Sequence, residues 1–340
     1  MPLTAYPWHQ TQWRDILERR HALPHALLIR GGEGIGKLDF ARKLAQSVAC
    51  DSPAGDGAAC GECQSCRWFA IGTHPDYREV LPEVLRPRRE DDAPPSERKP
   101  SQFISIDDVR NLHDFINLTA RGDAGKTIVF FPAETLNVNA ANALLKSLEE
   151  PPPATRFILV SHRPGYLPPT VLSRCQQLAL PTPPAAAAEQ WLREQGADNP
   201  ALSLAHTGNA PLAAAALEDD EFWRHRQMLL DGLAATKPAM LVLAERVRDY
   251  PIPRVIAFLQ RWTYDLLSVS ATGKVRYNAD YAKDLARIAP SLQATETVRY
   301  HRMLLAQQRM IHHPLNARLL IEQLLLAYQA LLRGQALPPI

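Results

Sequence analysis

The chain has 340 residues, a formal net charge of +2, and 22% charged residues. That length predicts two or three domains with buried cores, and the charge balance gives no electrostatic case for nucleic acid as main partner. No run of about 18 apolar residues occurs, so no membrane-spanning helix is expected.

The first thirteen residues, Met1 to Trp13, lack the apolar core of a signal peptide. Residues 6–20 read as a lead-in loop, Tyr6-Pro7-Trp8, and a helix carrying Trp13, Ile16 and Leu17. His25-Ala26-Leu27-Leu28-Ile29-Arg30 is a short apolar run ending in glycines, which predicts a buried parallel strand. Next comes Gly31-Gly32-Glu33-Gly34-Ile35-Gly36-Lys37-Leu38, which fits G-x-x-x-x-G-K and departs at its last position. In such a loop the glycines let backbone N–H groups face a polyphosphate. The lysine reaches the outer phosphates, and a final Ser or Thr holds magnesium. Leu38 has no oxygen to offer a hard cation. Residues 37–49 carry Phe40, Leu44 and Val48 at helical period, so the loop opens a helix, the setting the motif requires.

Five cysteines, four of them clustered, argue for metal binding in a reducing cytoplasm over a disulfide framework. Cys50, Cys60, Cys63 and Cys66 have the spacing C-x9-C-x2-C-x2-C, suited to a tetrahedral structural zinc site. His74 is expected to open the next strand, Tyr77 to Val80, and not to ligate. Residues 85–102 are proline-rich and half charged with interleaved signs, a surface loop with too little apolar content to order itself. Ile104 to Leu118 reads as a helix with Ser105 as N-cap. Thr127 to Phe131 reads as a second buried strand. An active nucleotide hydrolase of this layout ends that strand in carboxylates. Here Phe131 and Pro132 stand there, and Glu134 is the only local acid, set too far along to be taken as a substitute. A helix over 139–150, stopped by Pro151 to Pro153, and strands at 157–161 and 178–180 complete a doubly wound parallel α/β sheet.

Asn142-Ala143-Leu144-Leu145-Lys146-Ser147-Leu148-Glu149-Glu150-Pro151-Pro152, followed by Ser173-Arg174-Cys175, resembles the clamp-loader branch of the AAA+ proteins. The cysteine insert after the loop helix, Trp8 and His25-Ala26-Leu27-Leu28 are similar to the bacterial DNA polymerase III loader subunits. Leu38, Phe131 and Pro132 set it with a subunit whose own site is silent, not with the motor subunit. The resemblance implies an AAA+ domain over 1–180 with the zinc insert at 50–66. A helical lid over 181–219 and an all-α collar over 220–340 would follow. It implies that Arg174 reaches into the neighbouring subunit's nucleotide site as an arginine finger. The residues alone favour a structural Arg174 paired with a carboxylate near a strand start, and the resemblance reverses that reading. The resemblance further implies the motor (gamma/tau) and delta subunits as partners, with the sliding clamp and primer-template DNA reached through the assembly. Cys175 is expected to be a buried neutral thiol.

The lid is expected to hold three short helices over 185–218. Its last helix opens at Gly208-Asn209-Ala210-Pro211 with no arginine following closely, as a second sensor would need. Candidate collar helices span 221–234, 238–249, 253–270, 278–288, 291–310 and 314–333. Leu315, Leu319, Leu320, Leu324, Leu325, Leu326, Leu331 and Leu332 cover too wide an arc of the last one for a single surface stripe. That arc fits either packing between subunits or a self-contained bundle core. Three functional readings follow. The first is a clamp-loader subunit without ATPase activity of its own. The second is an active AAA+ motor subunit. The third is a zinc-containing nucleic-acid module, which lacks a basic face near the insert. Whether Gly31, Gly34, Gly36 and Lys37 still bind ATP stays open at this level.

Overall fold

The computed structural model describes residues 6–87, 99–217, 219–310 and 316–336. Most of the charged loop expected at 85–102, and Leu315 of the last helix, lie outside those residues. The chain divides into two compact units, Met1–Ala187 and Ala188–Ile340.

In the first unit the described strands are β1 (Ala26–Arg30), β2 (Tyr77–Val80), β3 (Lys126–Phe130), β4 (Thr155–Ser161) and β5 (Gln176–Ala179). They form one sheet of order β2-β3-β4-β1-β5. Every pairing is parallel; Ala26 stands opposite Phe157, and Leu27 opposite Gln176. The apolar runs alternate between two faces. Ala26, Leu28, Ile128, Phe130, Phe157 and Leu159 join one buried cluster, while Leu27, Ile29, Val129, Ile158 and Val160 join another. A sheet buried on both faces needs strands that are apolar at every position, which is how these runs read in sequence.

Helices α1 (Gln10–Glu18), α2 (Lys37–Ala49), α3 (Gln64–Ala70), α4 (Ile106–Arg110), α5 (Leu112–Asn117), α6 (Val138–Glu149) and α7 (Pro169–Leu172) complete this unit. The helix expected over 104–118 is broken at Asn111. Ser105 caps α4 in a capping box with Asp108. The Lys126 ammonium donates to the carbonyls of Phe115, Ile116 and Leu118 and so closes the end of α5. Helix α8 (Ala185–Glu194) crosses into the second unit, where α9 (Pro200–Thr207) and α10 (Pro211–Ala215) follow. Ala188, Leu192, Leu204 and Ala214 give these short helices a small core of their own.

The rest of the second unit is α11 (Asp220–Ala234), α12 (Met240–Arg246), α13 (Ile252–Thr272), α14 (Ala282–Ile288), α15 (Ala294–Met310) and α16 (Ala317–Leu332). Its core closes around Trp262, Tyr300 and Tyr328. The Trp262 indole donates to the Tyr328 hydroxyl at 2.8 Å, and the Tyr300 hydroxyl donates to Leu324 O at 3.0 Å. Buried aromatics with a polar tip need such partners. Helix α16 buries Leu320, Ile321, Leu324, Leu325, Tyr328 and Leu331 within this core. Leu319 and Leu326 remain exposed. The bundle itself thus takes up most of the leucine arc.

Candidate functional site: a self-filled phosphate loop, a four-cysteine cluster and Arg174

The glycine loop leaves the carboxyl end of β1, between β4 and β5, where open parallel sheets place their ligand crevice. Two glycines there are required by space. A Cβ at Gly31 would lie 2.4 Å from the Leu180 carbonyl oxygen, and one at Gly36 would lie 2.3 Å from the Tyr6 ring. Gly36 also caps α2 in the left-handed conformation, with φ 89°. The lead-in segment is tied to the loop: the Trp8 indole donates to Ile35 O at 2.9 Å, and the Tyr6 hydroxyl donates to Asp39 Oδ2 at 2.8 Å.

Lys37 is 2% exposed, and its ammonium is already engaged. It donates to the Gly32 carbonyl and lies 2.6 Å from Nδ1 of His162, just beyond β4. A cationic donor at that distance makes Nδ1 the acceptor, which puts the imidazole proton on Nε2. Burial pushes Lys37 down to about 8, against the pull of Glu134 and Glu33. Burial and the Lys37 charge likewise lower His162. Glu134 Oε1 accepts the backbone N–H groups of His162 and Arg163 at 2.9 and 3.1 Å. Its other oxygen is buried without a hydrogen-bond partner among the described residues. Glu134 is therefore drawn to the loop after all. The turn after β3 (Ala133–Thr135) aims its side chain at β4's end.

The positions that depart from an active site serve packing. Leu38 packs against the cluster of Trp13, Phe40 and Leu44. Phe131 meets the His162 ring edge-on at 5.2 Å between centroids. His9 is fully buried, T-shaped against Phe40, with neither ring nitrogen partnered among the described residues. Burial and the Lys37 charge push it down to about 4. Sequence reading singled out neither His9 nor His162, because no motif spacing marks them. Their only signal is position, one in the lead-in to α1 and one at a strand end.

The sulfurs of Cys50, Cys60, Cys63 and Cys66 all lie within 4.8 Å of one another. Three of the separations are 3.6, 3.8 and 4.0 Å. Four sulfurs at ~2.3 Å from one tetrahedral ion stand ~3.8 Å apart, so the set fits a metal of that geometry. Backbone N–H groups point at the sulfurs: Cys60 N to Cys50 Sγ at 3.3 Å, Cys63 N to Cys60 Sγ at 3.3 Å, and Cys66 N to Cys63 Sγ at 3.4 Å. Bonds from Glu62 and Cys63 bring the Cys60 thiol down to about 7. The cluster ties the end of α2 to the start of α3, where Cys63 is the N-cap. His74 stays outside it; its ring pairs with the Ser65 hydroxyl at 2.9 Å.

Arg174 follows α7, with a side chain one-third exposed and ion-paired to Glu149 at the end of α6. Its Nη1 also donates to Thr170 O at 2.9 Å. Its partners among the described residues are thus Glu149, Thr170 and Ser173, none of them in the phosphate loop. Cys175 is buried, which pushes its thiol up to about 11.

The family model described as DNA polymerase III, delta subunit, matches residues 9–184. The DNA polymerase III subunit delta' of Pseudomonas aeruginosa is 40% identical over 275 residues, 78% of each chain. That of Escherichia coli K12 is 34% identical over 239 residues, 69% of this chain and 67% of the relative. A solved DNA polymerase III gamma subunit-related protein from Thermotoga maritima is 20% identical, with a TM-score of 0.46 over 95% of this chain and 99% of that one. With the family model over 9–184 and these relatives matched over two thirds or more of both chains, the chain belongs to the DNA polymerase III subunit delta' family.

Proposed function

We propose that this chain is a subunit of the DNA polymerase III clamp loader that turns over no ATP of its own and completes a neighbour's site. The observation that carries this reading is the state of Lys37. Its ammonium is spent on His162 and Gly32, beside a loop with no hydroxyl at position 38 and a strand that ends without a carboxylate. A phosphate would have to displace two hydrogen-bond partners and would meet no magnesium site. The active-motor reading needs all three features reversed.

Arg174 is then the residue offered outward, to the motor subunit's nucleotide. A guanidinium stays charged and presents a rigid fork to a phosphoryl group. The Glu149 ion pair and the Thr170 bond hold it in place from behind. In the same reading Cys50, Cys60, Cys63 and Cys66 hold structural zinc, which adds folding free energy and no chemistry. The partners are the gamma/tau and delta subunits, and the clamp and primer-template DNA are met through the assembly. The lid is 181–219 and the collar 220–340. The working compartment is the cytoplasm.

The test is clamp- and DNA-stimulated ATP turnover of the reconstituted assembly. Arg174→Ala in this subunit is expected to lower it strongly, and Lys37→Ala to leave it nearly unchanged. The reverse pattern would show that this loop turns over nucleotide.

A further inference from the structure

The second unit contains a cleft of about 440 Å³ that the proposed function does not use. Lys237, Arg287 and Arg333 line it, together with Thr236, Ser291 and Gln329. The three cations come from three places: the connection between α11 and α12, helix α14, and the residue just after α16. Among the described residues, no acidic residue lines the cleft. Arg287 is fixed in place, donating to the Ala234 carbonyl and pairing with Asp284 at 2.9 Å. The side chains of Lys237 and Arg333 have no hydrogen bond or ion pair within the described residues.

Helix C-termini attract cations, and α11 and α16 end close to Lys237 and Arg333 in sequence. That attraction accounts for some of their placement. Arg287 stands in the last turn of α14, so the same attraction acts on it; what it leaves unexplained is that all three cations face one cavity with no carboxylate among the described lining residues. With Asp284 set against Arg287, the cleft keeps a surplus of two positive charges. A phosphate monoester carries about −1.5 to −2 and three acceptor oxygens, whereas one carboxylate carries a single charge. Arginine supplies a planar fork for such oxygens and lysine a mobile point charge.

We propose that the cleft lined by Lys237, Arg287 and Arg333 is a phosphate-binding site. The phosphate can come from a free phosphate compound or from a nucleic-acid strand that presents its phosphates to this face. The site is distinct from the glycine loop, which lies in the other unit.

The experiment is calorimetric titration of the full chain at fixed ionic strength, first with inorganic pyrophosphate, then with a short thymidine oligonucleotide. Wild type is compared with the double substitution Lys237→Gln and Arg333→Gln, and with the charge-keeping pair Lys237→Arg and Arg333→Lys. The charge-removing pair is expected to weaken binding at least about tenfold, as loss of two charge-assisted contacts requires. The charge-keeping pair is expected to stay within about threefold of wild type. Loss of pyrophosphate binding alone assigns the site to free phosphate compounds, and loss of oligonucleotide binding alone assigns it to a strand. Loss of both leaves the class in place with either source able to fill it. If wild type binds neither ligand, or the charge-removing pair binds both as wild type does, the proposal is overturned. That second result would put any phosphate binding elsewhere, the glycine loop included.

Discussion

Lys37 Nζ stands 2.6 Å from His162 Nδ1, and the Gly32 carbonyl takes a second of its protons. The lysine that a phosphate loop keeps for its ligand is here part of the fold. Removing it deletes two hydrogen bonds from a charged donor, to the half-buried His162 ring and the exposed Gly32 carbonyl, and hydrogen bonds to charged groups are worth about 1.5–3 kcal/mol. Lys37→Ala is therefore expected to lower stability by that amount, read from urea unfolding of the first unit. A lysine waiting in an open loop would give a change within about 0.5 kcal/mol, the usual range for surface substitutions.

His206 gives a pH prediction. Its ring is 1% exposed, set against Phe222 and Phe258 at 5.2 and 5.7 Å, with neither nitrogen bonded among the described residues. Burial first, then the charges of Arg261 and Arg226, push it down to about 2. The folded state keeps this histidine neutral where the unfolded chain protonates it, so the unfolded state binds the extra proton. Its contribution to stability is present above about pH 6.5 and is lost as pH falls, by up to about 1.4 kcal/mol per unit. His206→Phe removes the titration and keeps the volume. Stability measured from pH 7 down to pH 4.5 should fall less steeply in this variant, and equal slopes would show that His206 finds a proton partner in the fold. His9, pushed down to about 4, adds a slope of the same sign over this range.

The four-cysteine cluster predicts about one zinc per purified chain. Cys63→Ser removes a ligand that is also the N-cap of α3, so the join between α2 and α3 loosens. Metal content should drop and the melting temperature should fall by several degrees, because binding free energy of a structural metal is folding free energy. Chelation of the wild type should do the same. ATP turnover by the assembly should fall only as far as folded protein is lost. Zinc absent from a folded, fully stable chain would remove the metal from the reading.

Much of this molecule was legible in the sequence, and what was not has physical reasons. The central strands β1, β3 and β4 showed as apolar runs because a sheet buried on both faces leaves little polar alternation to blur them. Edge strand β5 begins at the exposed Gln176 and Gln177, two residues before the apolar run that marked it. Ser105 showed as a cap, but neither the break at Asn111 nor the closing of α5 did; the latter depends on Lys126 reaching back from β3. The cysteines showed by spacing, because short knuckle loops fix which sulfurs can meet. Glu134 was set aside on sequence distance. The turn after β3 brings it to His162, a contact between residues 28 apart in sequence. His162 and His9 carry no local pattern at all, and only tertiary packing places them beside Lys37. The leucines of α16 were read as an arc too wide for one face. The bundle core absorbs most of them, which a single helix cannot reveal.

Arg174 and Glu149 allow the finger reading to be tested without touching the finger. Their pair is partly exposed, and such pairs are worth about 0–1 kcal/mol. Glu149→Gln should therefore leave the melting temperature almost unchanged. If Arg174 acts on a neighbour's nucleotide, loosening its rear support should lower turnover by the assembly, with a smaller effect than Arg174→Ala. A residue that only braces the end of α6 would give no change in turnover for either substitution.

Restoring the hydroxyl alone, Leu38→Thr tests the proposal that the loop turns over no nucleotide. Hydrolysis needs an oxygen on magnesium from the loop, a carboxylate at the strand end, and a lysine available to phosphate. The substitution restores only the first. Phe131 and Pro132 still close β3 without an acid, and Lys37 is still held by His162. Leu38 also packs against the cluster of Trp13, Phe40 and Leu44, so replacing it with a smaller polar side chain should cost about 1 kcal/mol or more. The expected outcome is a less stable chain whose own ATP turnover stays at background. Turnover rising in the isolated Leu38→Thr chain would mean that the rest of a catalytic site survives, with Glu134, whose second carboxylate oxygen is buried and unpaired among the described residues, as the acid to replace next.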